Sequence, residues 1–189
     1  TQVKQKLRQG FRCIKLKIGA IEWDEELRLI QTIRSRFSKD TLELRVDANG
    51  AWTPEDAEQK IKQLAQYGIH SIEQPIAPYQ WKEMAHLCRL QDEAREQGEK
   101  HLPIALDEEL IGVNSLEEKR LLLDTIRPQY IVIKPTLHGG MTGSMEWISE
   151  ANKRGIGSWM TSALESNIGL RNVALLAARV YGPHITFPQ

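Results

Sequence analysis

Hydrophobic spacing along the chain switches repeatedly between a period near 3.6 and a period near 2, and the switching is regular. Residues 1–9 read as a helix closed by Gly10, after which FRCIKLKIG alternates as a strand. WDEELRLIQTIRSRF places Leu27, Ile30, Ile33 and Phe37 at helical spacing, and LELRVDAN follows as a second strand. A helix opens at Thr53-Pro54-Glu55-Asp56. There a capping hydroxyl precedes proline at the first helical position, and two acids lie near the positive end of the helix dipole. This helix runs to Gly68. The remaining strands are HSIEQPI, LPIALDEEL, QYIVIKPT and GSWMTSA, separated by helices near 81–97, 115–126 and 143–154. A last helix near 167–181 carries Ile168, Val173, Leu175 and Leu176.

Helix alternating with strand throughout implies a parallel sheet, either closed into a barrel or wound with helices on both faces. Side-chain polarity favours the barrel. In Lys15/Lys17, Arg45/Asp47, Ser71/Glu73 and Val132/Lys134 the polar member sits on one face, while Ile14/Leu16, Leu44/Val46, Ile72 and Ile131/Ile133 sit on the other. Barrel strands can be apolar beneath the helices and polar inside near the mouth, whereas strands covered on both faces are apolar throughout. Six strands and seven helices are found, a helix comes first, and the sequence reaches HITFPQ where another strand is due. A complete barrel of this kind takes about 250 residues. The chain is therefore read as one partial barrel domain over residues 1–189, without the first and last barrel strands.

Composition narrows the partners. The chain has 189 residues, 41% of them hydrophobic, which is enough for a buried core. Lysine plus arginine equals aspartate plus glutamate at 25 each, and the basic residues are scattered rather than striped, so nucleic acid and anionic membrane are not expected partners. No window approaches the roughly 20 apolar residues of a membrane span, and TQVKQKLRQG has no signal-peptide core. Cys13 and Cys88 read as small core residues rather than a disulfide or metal pair, which suits a soluble protein of a reducing cytoplasm.

Lys15, Asp47, Glu73, Asp107 and Lys134 each fall at or near the C-terminal end of an apolar segment, where a barrel strand faces an open mouth. Lys15 and Lys17 lie two apart on a strand, so both ammonium groups point into one cavity and each opposes protonation of the other, which would make one of them a base. A pair of solvated surface lysines is the plainer alternative. Asp47, Glu73 and Asp107 offer hard oxygen ligands from three successive strands, the set expected for Mg²⁺ completed by water and substrate oxygens, unless each pairs with a neighbouring lysine. No histidine or cysteine is placed similarly, which argues against zinc. One of Glu108 and Glu109 is an alternative ligand; otherwise both are loop acids. Lys134 ends the apolar run IVIK, where a buried lysine needs either a partner or a chemical role. It could form an ion pair, stabilise an anion, or act as a second acid/base opposite Lys15 and Lys17. His138 in HGG reads as a loop residue, and His70, His86, His101 and His184 form no constellation.

The ordered motifs KLK, RVDANGAW, SIEQP, ALDEE and IKPTLHGG resemble the barrel of the enolase superfamily, in its muconate-lactonizing-enzyme-like branch. Within that branch IKPTLHGG together with TSALESNIG is most similar to the o-succinylbenzoate synthases, dehydratases of menaquinone biosynthesis. The resemblance spans essentially the whole chain and implies an incomplete TIM-like (β/α) barrel whose N-terminal capping domain lies outside it. It further implies Asp47, Glu73 and Asp107 as Mg²⁺ ligands (Mn²⁺ being an alternative ion), Lys17 as general base, Lys15 as its electrostatic partner and Lys134 as the cation opposite. Asn49 and Ser162 match positions near the metal shell and a small carboxylate substrate. The implied reaction removes a proton adjacent to that carboxylate through a metal-stabilised enediolate. A racemase or dipeptide epimerase of the same superfamily is the alternative activity, and a non-catalytic barrel fragment needing a partner chain the alternative of another class.

Overall fold

The computed structural model describes residues 2–182. Residues 184–189, where the sequence suggests a further strand, and with them His184, lie outside the described residues. Six strands, β1 (Cys13–Lys17), β2 (Glu43–Asp47), β3 (Ser71–Glu73), β4 (Ile104–Leu106), β5 (Tyr130–Ile133) and β6 (Gly157–Met160), pair in chain order as a parallel sheet. Seven helices alternate with them: α1 (Gln2–Arg8), α2 (Trp23–Arg34), α3 (Pro54–Leu64), α4 (Trp81–Glu96), α5 (Leu116–Ile126), α6 (Gly140–Lys153) and α7 (Asn167–Tyr181). Among the described residues the result is an open partial barrel with β1 and β6 at its edges.

The local signals act where the sequence places them. Thr53 accepts from the backbone N–H of Asp56 with Pro54 at the first helical position. Ser115 and Glu118 form a reciprocal capping box at the start of α5. Several expected elements are shorter than read. α2 stops at Arg34 rather than Phe37, since the Arg34 guanidinium folds back to donate to the carbonyls of Leu42, Tyr67 and Gly68. LPIALDEEL keeps only Ile104–Leu106 as strand, and Glu108–Leu110 turn as a single 3-10 coil.

The outward face of the sheet carries Leu44, Val46, Ile72, Ile104, Leu106, Ile131 and Ile133, all fully buried beneath Ile30, Ile61, Met84, Leu123 and Trp147 of the helices. This apolar layer is the main source of stability. The inner face is less uniformly polar than the sequence pattern suggests. Ala105, Val132 and Trp159 form a second buried cluster there with Tyr130, and the Arg45 guanidinium lies 4.2 Å from the Trp159 ring. Arg45 pairs there with Glu43 at 2.6 Å, while the other charges of this face gather toward the C-terminal ends of the strands. Register staggers those ends: Lys17, Asp47 and Glu73 stand level, Glu73 faces Ala105 so that Asp107 lies two residues further on, and Leu106 faces Ile131, which carries Lys134 further again. Such stagger is what tilted barrel strands require. No helix among the described residues is long and apolar enough to cross a membrane.

Candidate active site

Three carboxylates and three ammonium groups meet at the C-terminal end of the sheet. Asp47 and Asp107 are fully buried and Glu73 nearly so, a desolvation that isolated carboxylates do not tolerate. The Lys15 ammonium bridges two of them, donating to Glu73 Oε2 at 2.9 Å and Oε1 at 3.0 Å and lying 3.1 Å from Asp47 Oδ2. Lys17 donates to the same Asp47 oxygen and to Asn49 Oδ1 at 2.6 Å. From the far side, directly after β5, Lys134 donates to Asp107 Oδ2, while Asp107 Oδ1 is buried without a partner among the described residues.

The charges set one another's protonation. Burial works against the Asp47 carboxylate, but the Lys17 hydrogen bond and the Lys15 charge outweigh it and hold its pKa below the usual carboxylate range. Burial pushes the Glu73 pKa up; Lys15 opposes this, and the negative charges of Asp47 and Asp107 add to it. For Lys15, burial favours the neutral amine, yet Glu73 and Asp47 prevail and raise its pKa above the ordinary lysine value. The expectation that two neighbouring lysines depress one another therefore fails at Lys15, because each ammonium faces a carboxylate rather than its twin. Lys17 is the accessible member of the pair, its side chain 62% exposed against 33% for Lys15.

This end of a parallel barrel sheet is where enzymes of the architecture place their chemistry. Residues 1–185 match the family model for the enolase C-terminal domain-like fold. The chain belongs to the enolase C-terminal domain-like family. It is 51% identical over 188 residues to an o-succinylbenzoate synthase of Desulfotalea psychrophila, covering 100% of this chain and 48% of that protein. It is 33% identical over 167 residues to an N-succinylamino acid racemase of Thermus thermophilus, covering 88% of this chain and 40% of that one. Among solved structures, MenC from Desulfotalea psychrophila superposes with a TM-score of 0.87 at 49% identity, covering 100% of this chain and 48% of its own. The chain thus spans about half the length of the relatives it matches.

Around the charged cluster this enolase-family barrel carries supports that the sequence reading missed or misplaced. Gln74, fully buried directly after Glu73, accepts from the backbone N–H groups of Asp107 and Glu109 and donates to Ile76 O and Glu109 Oε2. Glu109 is not a loop acid: buried, it also accepts from Tyr79 N–H and from the Trp81 indole, tying the β3 and β4 loops together. Asn49 joins Lys17 to Glu108, donating to Glu108 Oε1 at 2.8 Å while its own backbone N–H reaches Asp47 Oδ1. Its φ of 46° and the 40° of Gln74 place a left-handed residue behind each of the β2 and β3 carboxylates. Ser162 lies in the loop after β6, where it donates to Glu165 rather than to the charged cluster, and Glu165 also accepts from Thr136.

His138 likewise is no solvent loop residue: it is 1% exposed, and its Nδ1 accepts from the Lys134 backbone N–H. The only signal in the sequence was the pair of glycines that follows it. Cys13 and Cys88 are both free thiols; Cys88 is buried in the core, whereas Cys13 is only half-buried and its thiol donates to Glu43 Oε1. His86 and His101 lie at the surface, and His70 packs against Tyr130 below the charged layer. A cavity of about 670 Å³ opens at the opposite, N-terminal end of the sheet between Arg95, Arg127 and Arg154, far from the chemistry, and Arg154 is already bound by Asp124 and Glu150.

As placed, no three carboxylate, imidazole or thiol groups among the described residues are close enough to share one ion. The donor set nonetheless fits a hard divalent cation. All three groups are buried oxygen donors, one of their oxygens has no partner among the described residues, and lysine ammonium groups supply the positive charge that a cation would bring.

Proposed function

We propose that this barrel forms the catalytic part of a Mg²⁺-dependent dehydratase of the o-succinylbenzoate synthase type, acting in menaquinone biosynthesis. The observation that carries the proposal is the flanking of three buried carboxylates at the strand ends by Lys15 and Lys17 on β1 and by Lys134 just after β5. Asp47, Glu73 and Asp107 would hold the cation, with Mn²⁺ able to replace Mg²⁺. When bound, the ion supplies positive charge against a substrate carboxylate, lowering the cost of removing the proton on the adjacent carbon.

The chain's own residues then account for the rest. Lys17, accessible at the mouth and fixed by Asp47 and Asn49, takes that proton. Lys134 faces the resulting enediolate from the other side and stabilises its charge. The β-hydroxyl departs with the proton that Lys17 returns, so one water leaves and the ring becomes aromatic. The substrate must then be the hydrate of the product, a hydroxycyclohexadiene carboxylate bearing a succinyl group. Lys15 pairs with both Asp47 and Glu73, which helps to keep Asp47 ionised and opposes the rise that burial imposes on Glu73. Asn49, bonded to Lys17, and Ser162, exposed in the loop after β6, would contact the substrate, and an N-terminal capping domain with the remaining strands would cover it.

In the complete gene product, Lys17→Ala should abolish dehydration while leaving cation affinity, measured by titration calorimetry, nearly intact. Lys15→Ala should cost roughly 10²–10⁴-fold, the range of an assisting group. Near-normal turnover by Lys17→Ala would sink the assignment. Efficient turnover of N-succinylamino acids with no dehydration would instead favour the racemase activity named for the Thermus thermophilus relative.

A further inference from the structure

We propose that His138 is a positioning residue for Lys134: its imidazole takes the Lys134 peptide N–H out of the sheet, ends β5 at Ile133 and so aims the ammonium at Asp107. The inference rests on the role of Lys134 proposed above and goes beyond it.

Strand β5 holds its partner as far as Ile133, whose carbonyl accepts from Thr161 N–H at 2.9 Å. A continuing strand would send the next N–H to a neighbouring strand. The Lys134 N–H goes instead to His138 Nδ1 at 3.1 Å. The Lys134 carbonyl accepts in turn from Leu137 N–H at 2.8 Å and from His138 N–H at 3.1 Å. Both polar groups of the Lys134 peptide are therefore held by the same short turn, and the side chain leaves that peptide toward Asp107.

His138 is buried at 1% exposure and its backbone is hemmed in. Its ring lies 6.5 Å from the buried Trp147 ring, and α6 approaches so closely that a Cβ on Gly143 would collide with the His138 carbonyl oxygen. A nitrogen that accepts a peptide N–H carries no proton, so the neutral ring is the Nε2–H tautomer. Burial, aided by Lys134 and Lys119 and opposed by Asp107, depresses the imidazole pKa to about 4 and keeps the acceptor available at neutral pH.

A ring that merely fills space and a ring that accepts a hydrogen bond respond oppositely to substitution. His138→Phe keeps the ring and removes the acceptor, whereas His138→Asn removes the ring and returns an acceptor oxygen near the Nδ1 position. In the complete gene product, assayed with the hydroxycyclohexadiene carboxylate and saturating Mg²⁺, His138→Phe should lower kcat by about 10–100-fold with KM changed less than about threefold. His138→Asn should regain most of that loss, and adding His138→Phe to Lys134→Ala should cost nothing further.

A tolerated phenylalanine with a damaging asparagine would mean packing alone and overturn the proposal. Turnover by Lys134→Ala at the normal rate would overturn the reading of the site, and with it this inference; loss on Lys134→Ala without loss on His138→Phe would overturn this inference alone. Should His138→Phe fail to fold, long-range ¹H–¹⁵N correlation on the unaltered protein still decides. The Nε2–H tautomer at neutral pH is expected, and an Nδ1–H tautomer would refute the hydrogen bond.

Discussion

At the scale of single residues, the charged cluster depends on groups that carry no charge of interest themselves. Gln74 is the clearest: its buried amide makes four hydrogen bonds, two of them to the backbone N–H groups of Asp107 and Glu109. Gln74→Leu keeps the volume and leaves those donors unpaired, each costing about 1–3 kcal/mol. The variant should lose at least about 2 kcal/mol in urea unfolding and bind divalent cations more weakly, since Asp107 would no longer be held; unchanged stability would show that the network relaxes around the loss. His138 gives a second readout. Its imidazole titrates near 6.5 when unfolded and near 4 when folded, so between those values the unfolded chain binds more protons. That contribution to stability is complete above about pH 6.5 and is lost as pH falls toward 4, by up to about 3 kcal/mol. Melting curves from pH 7 to 4 should show the unaltered chain losing more stability than His138→Asn, and parallel losses would contradict the buried neutral ring. The lysines and carboxylates were legible in the sequence because each ends an apolar alternation. Gln74, Glu109 and His138 were not, since turns and left-handed backbone bring them to their partners and no periodicity records either.

At the scale of elements, legibility followed local chemistry. All seven helices and six strands were readable, and their caps at Thr53 and Ser115 do what their residue types require. Removing the capping box by Ser115→Ala should destabilise the chain by about 1 kcal/mol through loss of partners for the first turn of α5, seen as a lower midpoint with an unchanged denaturant slope. Element ends were harder to read, because long-range partners decide them. Arg34 ends α2 by reaching carbonyls up to 34 residues away, and the first turn of α6 leaves no space for a side chain between Gly143 and the His138 carbonyl. At Gly143 a methyl group would strike a backbone oxygen that cannot move without dragging the turn that holds Lys134. Gly143→Ala should therefore lower melting temperature and dehydratase turnover together, whereas Gly98→Ala, with open space around it but a φ of 71°, should affect stability alone.

At the scale of the whole molecule, the six-stranded sheet leaves two edges. Among the described residues β1 pairs only with β2 and β6 only with β5, so the strand carrying Lys15 and Lys17 presents an unpaired backbone row beside the proposed base. Parallel sheets are stable when covered on both faces and closed at their edges, and an open edge is a template for another chain. Leu164, Ile168 and Leu175, exposed at 97%, 78% and 58%, add an apolar surface after the other edge strand. The described sheet is open at both edges, and the chain spans about half the length of the relatives it matches. Expressed alone, the 189-residue chain should show no dehydratase activity and should associate with rising concentration in analytical ultracentrifugation. The complete gene product should turn over substrate with Mg²⁺, lose activity in EDTA and recover it on adding Mg²⁺ back. A 189-residue chain that stays monomeric and dehydrates its substrate would show that six strands suffice, and that Lys17 needs neither a neighbour on its free edge nor a cover over its mouth.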